Sequence, residues 1–253
     1  MKIVIADTSK ELGQLAGKEA AILIRQTISE KGKANIILAT GTSQFETIEQ
    51  LISEAGIDWS KVTMFHLDEY ISLPISHPAS FRKYLKERFL EKVSPAPAYF
   101  LIDGEAGLDG EIARLSAAIS AHPIDVALVG IGENGHLAFN DPPADFETEK
   151  PYLVVNLDEP CRLQQMNEGW FATLGDVPKQ AISMSVKQIM KSTHIVCSVP
   201  DLRKAQAVKD SIEQDVSNLY PASILQLHES CTFFLDKDSA SLSSDKKLKE
   251  IGV

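Results

Sequence analysis

The stretch Asp125-Val126-Ala127-Leu128-Val129-Gly130-Ile131-Gly132-Glu133-Asn134-Gly135-His136 changes character halfway. Its first half is apolar on consecutive positions, part of a run predicted as a strand over Ile124–Ile131. A strand buried on both faces reads this way, and such strands make parallel sheets covered by helices. The second half is a glycine loop, able to turn sharply and pack closely. Ligands of open parallel sheets bind beyond the carboxyl ends of the strands. One stretch thus predicts an α/β fold and points to where a site would lie.

Working outward, further apolar runs read as strands: Lys2–Ala6, Ala34–Ala39, Val62–Leu67, Tyr152–Leu157, His194–Val199 and Cys231–Leu235. Helical stretches lie between them. Thr8-Ser9-Lys10-Glu11 has the capping-box pattern ahead of Leu12, Leu15, Ala16 and Leu23. Helices are also predicted from Ser43 to about Gly56, Pro78 to Lys92, Glu111 to Ala121 and Asp201 to Gln214. This alternation predicts a three-layer α/β sandwich, a mostly parallel sheet flanked by helices on both faces. No repeat or Gly/Ser linker divides the chain, so 1–253 reads as one domain. Its polar C-terminal tail, 236–253, is expected to fray.

The chain has 253 residues, 44% hydrophobic and 24% charged, with a mean hydropathy of −0.06, as in a globular protein. A net charge of −10 repels phosphate backbones, so no nucleic-acid partner is expected. An anionic small molecule would need a local positive site. No apolar run reaches the roughly 18 residues of a membrane span, and Asp7 arrives too soon for a signal peptide. Cys161, Cys197 and Cys231 show no metal spacing, and an odd count reads as reduced core thiols in a cytoplasmic protein.

Three predicted strand ends carry residues suited to chemistry. After Leu38 come Ala39-Thr40-Gly41-Thr42-Ser43-Gln44. Thr40, Gly41, Thr42 and Ser43 can hold a phosphate through hydroxyls and the free N–H groups of a helix start, or form only an N-cap turn. No Gly-Lys-Ser/Thr follows, so this is not a Walker A loop. After Phe65-His66-Leu67 come Asp68 and Glu69. Adjacent carboxylates raise one another's pKa and can yield a proton acceptor; the alternative is a pair of solvated loop acids. The two should point in different directions, so that one faces a pocket. No His partner lies at metal spacing, so no metal is expected. His66 reads as a packed histidine. After Val129, the glycine loop presents His136 and, five residues on, Asp141. A histidine oriented by a carboxylate is a general acid–base unit. The loop fails as a dinucleotide fingerprint, because no acid follows about 20 residues later at a second strand end. Lys204, with Arg203 beside it, could pair with a phosphate or be a plain surface base.

Together, Ala39-Thr40-Gly41-Thr42, Leu67-Asp68-Glu69-Tyr70 with His77-Pro78-x-Ser80, Gly130-Ile131-Gly132-x-Asn134-Gly135-His136-x-Ala138-Phe139-Asn140 and Leu225-x-Leu227-His228 resemble the glucosamine-6-phosphate deaminase (isomerase) and 6-phosphogluconolactonase superfamily. The resemblance runs from about Leu38 to Leu235, and Asp-Glu-Tyr with Gly-His-x-Ala-Phe-Asn is similar to the deaminase branch. It implies a modified Rossmann-like sheet, a small-molecule sugar phosphate as substrate and no cofactor. It implies that Thr40–Ser43 and Lys204 bind the phosphate and that His136 opens the pyranose ring. Asp68 would move a proton between C2 and C1, ammonia would leave, and fructose 6-phosphate would form. Members range from monomers to hexamers, which allows a homo-oligomer.

Three positions depart from the deaminase pattern. Asn134 stands where many members have Asp, and would orient by hydrogen bonding alone. Asp141 stands where the deaminases carry Glu; a misplacement of ~1 Å can cost about a hundredfold in rate. The phosphate-binding Arg that deaminases place before a Phe is missing from Glu168-Gly169-Trp170-Phe171. Arg162 or Arg203 is expected to substitute, or the anionic end of the substrate differs. The same residues admit a 6-phosphogluconolactonase, another sugar-phosphate isomerase, or a non-catalytic sugar-phosphate sensor.

Overall fold

The computed structural model describes residues 1–244. In chain order the first elements are β1 (Lys2–Ala6), α1 (Ser9–Lys31), β2 (Ala34–Leu38), α2 (Phe45–Ser53), β3 (Val62–His66), β4 (Asp68–Tyr70), α3 (Phe81–Leu85), β5 (Ala98–Phe100) and α4 (Leu108–Ser120). Then come β6 (Val126–Val129), β7 (Tyr152–Asn156), α5 (Glu159–Asn167), β8 (Gln180–Met184), α6 (Val186–Met190), β9 (His194–Val199), α7 (Ala205–Glu213) and β10 (Cys231–Asp236).

Seven strands pair in parallel in the order β1-β10-β9-β6-β2-β3-β5. β2 shows why the sequence reads as an unbroken apolar run. Ile36 and Leu38 enter one core with Leu12, Ala16 and Ile24 of α1 and Ile48 and Leu51 of α2. Ile37, on the opposite face, enters a second core with Leu115 and Ile119 of α4 and Val208 and Ile212 of α7. Strand side chains alternate between faces, so a sheet covered on both sides needs apolar residues at every position. The expected sandwich and parallel sheet are both observed. Thr8 caps α1 by accepting the Glu11 N–H at 3.2 Å, while Glu11 reaches back to the Asp7 N–H at 2.9 Å.

The sequence reading missed a second sheet, the antiparallel β4-β8-β7. Tyr152–Leu157 was expected among the parallel strands, but β7 lies here, buried fully only at Tyr152. The three-residue edge strand β5 also escaped detection. The predicted helix from Pro78 begins at Phe81, where the Ser80 hydroxyl accepts the Lys83 N–H. The tail was expected to fray from Asp236, yet it is packed at its start. Asp236 closes β10 and accepts the Ser239 N–H at 2.8 Å, and Ser239 and Ala240 are buried. The rest of that tail, 245–253, lies outside the described residues. No helix among the described residues is long and apolar enough to cross a membrane.

Chain order reverses between β2 and β6. From β2 the chain steps to β3 and β5, whereas β6, β9 and β10 lie on its other side. The carboxyl ends of β2 and β6 therefore flank the switch point at which such sheets bind ligands.

Candidate active site

A cleft of about 580 Å³ opens at the switch point. All three strand ends singled out in the sequence meet there: Thr40, Gly41, Thr42 and Ser43 after β2, Asp68 in β4, and His136 after β6 line it, as does Lys204. Asn134, Asp141, Glu69, Arg162 and Arg203 do not line it.

Gly41 turns the chain at φ 93°, and Thr42–Gln44 form a 3-10 turn that runs into α2. The first N–H groups of a helical turn have no intrahelical acceptors. The loop is fixed from behind. The buried Gln44 amide lies 3.5 Å from the Val129 carbonyl and 3.4 Å from that of Ser198, and the Tyr84 hydroxyl donates to the Gly41 carbonyl at 3.1 Å. The amine of Lys204, a residue 4% exposed, has no hydrogen bond or ion pair among the described residues. Burial pulls its amine below the usual lysine range, with Glu168 and Glu133 pulling the other way.

β4 separates the acid pair, since neighbours on a strand face opposite ways. Asp68, 7% exposed, faces the cleft; burial, and then the charge of Glu69, hold its carboxyl well above the usual carboxylate range. Glu69 faces away and anchors the start of α3. It accepts the Ser80 hydroxyl at 2.8 Å, the Arg82 amide at 2.9 Å, the Tyr70 amide at 3.0 Å and the Phe81 amide at 3.3 Å. Its pKa is raised by burial, which outweighs these hydrogen bonds. Glu69 is thus a fold residue, not a site group. His66 is packed as expected: burial, then the Arg82 charge, lower its pKa to about 3, and its Nε2 accepts the Ile102 amide at 2.8 Å.

The glycine loop is shaped around His136. A Cβ at position 132 would run into the imidazole, so glycine is required there. His136 Nδ1 lies 3.0 Å from Asp141 Oδ1. Asn134 donates to the same oxygen at 3.0 Å and accepts the His136 amide at 3.1 Å. Asp141 Oδ2 accepts the Asp158 amide at 3.0 Å. Burial acts to raise the Asp141 pKa, but His136, Asn134 and the Asp158 amide outweigh it, and the carboxyl sits below its ordinary value. Asn134 and Asp141 therefore meet beside His136, and neither lines the cleft.

His136, Asp141 and Cys161 place potential metal ligands within 4.8 Å of one another. Burial, then the Asp141 and Asp158 charges, push the Cys161 thiol far up. The three cysteines are all buried and unpaired.

Neither candidate for the missing arginine lines the cleft, although Arg203 lines the adjoining groove with Thr42, Ser43 and Lys204. Arg162 donates to the carbonyls of Leu174 and Val177 and is used in holding that loop. Arg203 is held by Asp201 at 2.9 Å and Glu133 at 3.5 Å. Three residues that line the cleft were missed: Gln164, Gln165 and Glu168. With Cys161 they form an i, i+3, i+4, i+7 stripe around α5. That spacing was available in the sequence, but a polar stripe on a helix ordinarily reads as its solvent face.

Acid–base groups set at the switch point of a parallel sheet define a broad class of α/β proteins that act on small metabolites. Within it, the model describing glucosamine-6-phosphate isomerases/6-phosphogluconolactonase matches residues 7–234, and the chain belongs to that family. Glucosamine-6-phosphate deaminase 1 of Bacillus subtilis (strain 168) is 34% identical over 248 residues, spanning 96% of this chain and 99% of its own. Glucosamine-6-phosphate deaminase of Streptococcus equi subsp. zooepidemicus (strain MGCS10565) is 35% identical over 242 residues, spanning 95% and 99%. A solved structure described as a monomeric glucosamine-6-phosphate deaminase superposes with a TM-score of 0.87 at 33% identity, over 96% of this chain and 100% of that one. A 6-phosphogluconolactonase from Shewanella baltica OS155 shares the fold, with a TM-score of 0.76 at 18% identity, over 93% and 97%.

Proposed function

We propose that the chain is a single-domain amino-sugar phosphate deaminase/isomerase. It converts glucosamine 6-phosphate, or a close analogue, to fructose 6-phosphate and ammonia. The observation that carries this reading is the placement of Asp68 and His136 on one cleft with the Thr40–Ser43 turn and Lys204. The similarity to named deaminases over nearly the whole chain supports it.

The turn and Lys204 hold the phosphate. His136, oriented by Asp141 and Asn134, takes the O1 proton and returns a proton to the ring oxygen, which opens the sugar. Asp68 then removes the C2 proton and delivers it to C1. The resulting imine at C2 takes up water and releases ammonia, leaving the ketone. Both hydrogens move as protons, so the chemistry needs no redox cofactor. Burial that raises the basicity of Asp68 suits it to proton abstraction near neutral pH. A lactonase has no use for an acceptor at C2, and the orientation of Asp68 into the cleft favours the deaminase reading. Three cysteines without a disulfide support a cytoplasmic location.

The test is release of ammonia and fructose 6-phosphate from glucosamine 6-phosphate, with galactosamine 6-phosphate and 6-phosphogluconolactone assayed beside it. Turnover of glucosamine 6-phosphate near ~1 s⁻¹ or faster is expected. Turnover of the lactone alone would reassign the site.

A further inference from the structure

Glu168 places a carboxylate where the proposed substrate carries its own negative charge. It lines the cleft with Thr42, Ser43 and Lys204. The same four residues also line a wider groove of about 1540 Å³, which neither Asp68 nor His136 borders. They therefore form the end of the cleft away from the acid–base groups.

The carboxylate is held there. Its Oε2 lies 3.5 Å from the Thr42 hydroxyl and accepts the Trp170 indole N–H at 3.2 Å. Its Oε1 accepts from the Gln164 amide at 2.9 Å, and Gln164 in turn accepts the Glu133 N–H at 2.9 Å. The cations nearby do not offer a surplus of charge. Arg203 is committed to Asp201 and Glu133. The Lys204 amine is buried without a hydrogen-bond or ion-pair partner among the described residues, and Glu168 is the foremost anion acting on it. Lys204 and Arg203 thus face Glu168, Glu133 and Asp201, and the anion end has no surplus of positive charge before any substrate arrives. A phosphate settling on the Thr40–Ser43 turn meets a carboxylate already in place.

We propose that Glu168 is a specificity-determining residue, an internal anion at the phosphate end of the cleft that competes with the phosphate of the substrate. This rests on the sugar-phosphate reading above. The cleft then holds phosphate weakly by itself, and recognition falls on the sugar and its reacting end. Free inorganic phosphate becomes a poor competitor, although it carries the same charged group.

Glu168→Gln keeps the shape and one acceptor oxygen while removing the charge. Two measurements are made on wild type and variant: calorimetric binding of inorganic phosphate, and steady-state turnover of glucosamine 6-phosphate. The phosphate Kd and the KM are each expected to fall about tenfold, the equivalent of ~1.4 kcal/mol. The gain should shrink at high salt, which screens the charge. Glu168→Ala should move both constants in the same direction. Unchanged or weaker phosphate binding in a folded Glu168→Gln protein would overturn the proposal, even with sugar turnover intact. Tighter phosphate binding with no sugar turnover in either protein would support the role of Glu168 and overturn the deaminase reading.

Discussion

His136 Nδ1 and Asp141 Oδ1 lie 3.0 Å apart, although Asp141 has a shorter side chain than the glutamate of the deaminase pattern. The reach is restored from the other side. Asp158 caps α5, accepting the Cys161 N–H at 2.7 Å, and its own amide donates to Asp141 Oδ2. A helix start thereby fixes the carboxylate against the imidazole. Asp141→Asn keeps the shape and loses the charge that orients and stabilises a protonated ring. kcat should fall about 10²- to 10⁴-fold with KM changing little. Asp141→Glu should also slow turnover, about tenfold, because the added methylene crowds a filled position. An Asp141→Glu enzyme faster than wild type would show that the shorter acid is a defect and not an accommodated change.

Asp68 must be ionised to take a proton from C2, and its pKa is raised by burial and by Glu69. Turnover should therefore rise with pH along a limb lying above the ordinary aspartate value of about 3.9. Asp68→Asn should abolish solvent-deuterium exchange at C2, read by mass spectrometry, while sugar-phosphate binding persists. Exchange at the wild-type rate in that variant would move the base to another residue.

The same shift has a sign for stability. Folded Asp68 keeps its proton to higher pH than the unfolded chain does. Between the two pKa values the folded state binds more protons, so stability contributed by this group falls as pH rises. Asp68→Asn removes that loss. The variant should be more stable than wild type at pH ~8, with the difference closing below about pH 3.9, where both states are protonated. Urea unfolding at the two pH values measures this; a difference that grows toward acid pH would contradict the assigned direction.

Much of this was legible because strands buried on both faces cannot hide their composition. β2 is buried at every position, and β6 likewise, so the residues that follow them stood out as polar breaks. Thr40–Ser43 and His136 stood out in that way, and Asp68 did so after the apolar run of β3. β8, Gln180-Ala181-Ile182-Ser183-Met184, carries no such signal, because its strand state depends on pairing with β4 and β7 from distant parts of the chain. Without that sheet, the alternation that sends Asp68 inward and Glu69 outward could be guessed but not placed. Gln164, Gln165 and Glu168 stayed hidden for a related reason. A polar residue facing a cleft and one facing open solvent look the same in sequence. The backbone donation from Asp158 to Asp141 bridges 17 residues and leaves no trace in side-chain types.

Glu69 is the clearest case of an acid that looks catalytic and is structural. It is fully buried, with Arg82 Nε 3.4 Å away, and Arg82 also pairs with Asp103 at 2.6 Å and Glu105 at 3.0 Å. Glu69→Ala would strand the Ser80 hydroxyl and the amides of Phe81 and Arg82. A loss of ~3–5 kcal/mol in folding free energy is expected from urea titration. A loss below ~1 kcal/mol would mean that water replaces the carboxylate at little cost.

Arg162 and Lys204 should separate cleanly in kinetics, because only one of them faces the cleft. Arg162 is engaged with the carbonyls of Leu174 and Val177, at 3.0 Å to the latter. Arg162→Ala should leave KM within about twofold of wild type and cost ~1–3 kcal/mol of stability through the unpaired carbonyls. Lys204 lines the cleft, and its amine has no partner among the described residues. Lys204→Ala removes a charge-assisted contact to the phosphate, so KM should rise about 10- to 100-fold, the equivalent of ~1.5–3 kcal/mol. The buried amine itself costs stability when charged, so this variant should unfold no more easily than wild type. A KM that rises in Arg162→Ala and stays fixed in Lys204→Ala would exchange the two roles and return Arg162 to the phosphate site.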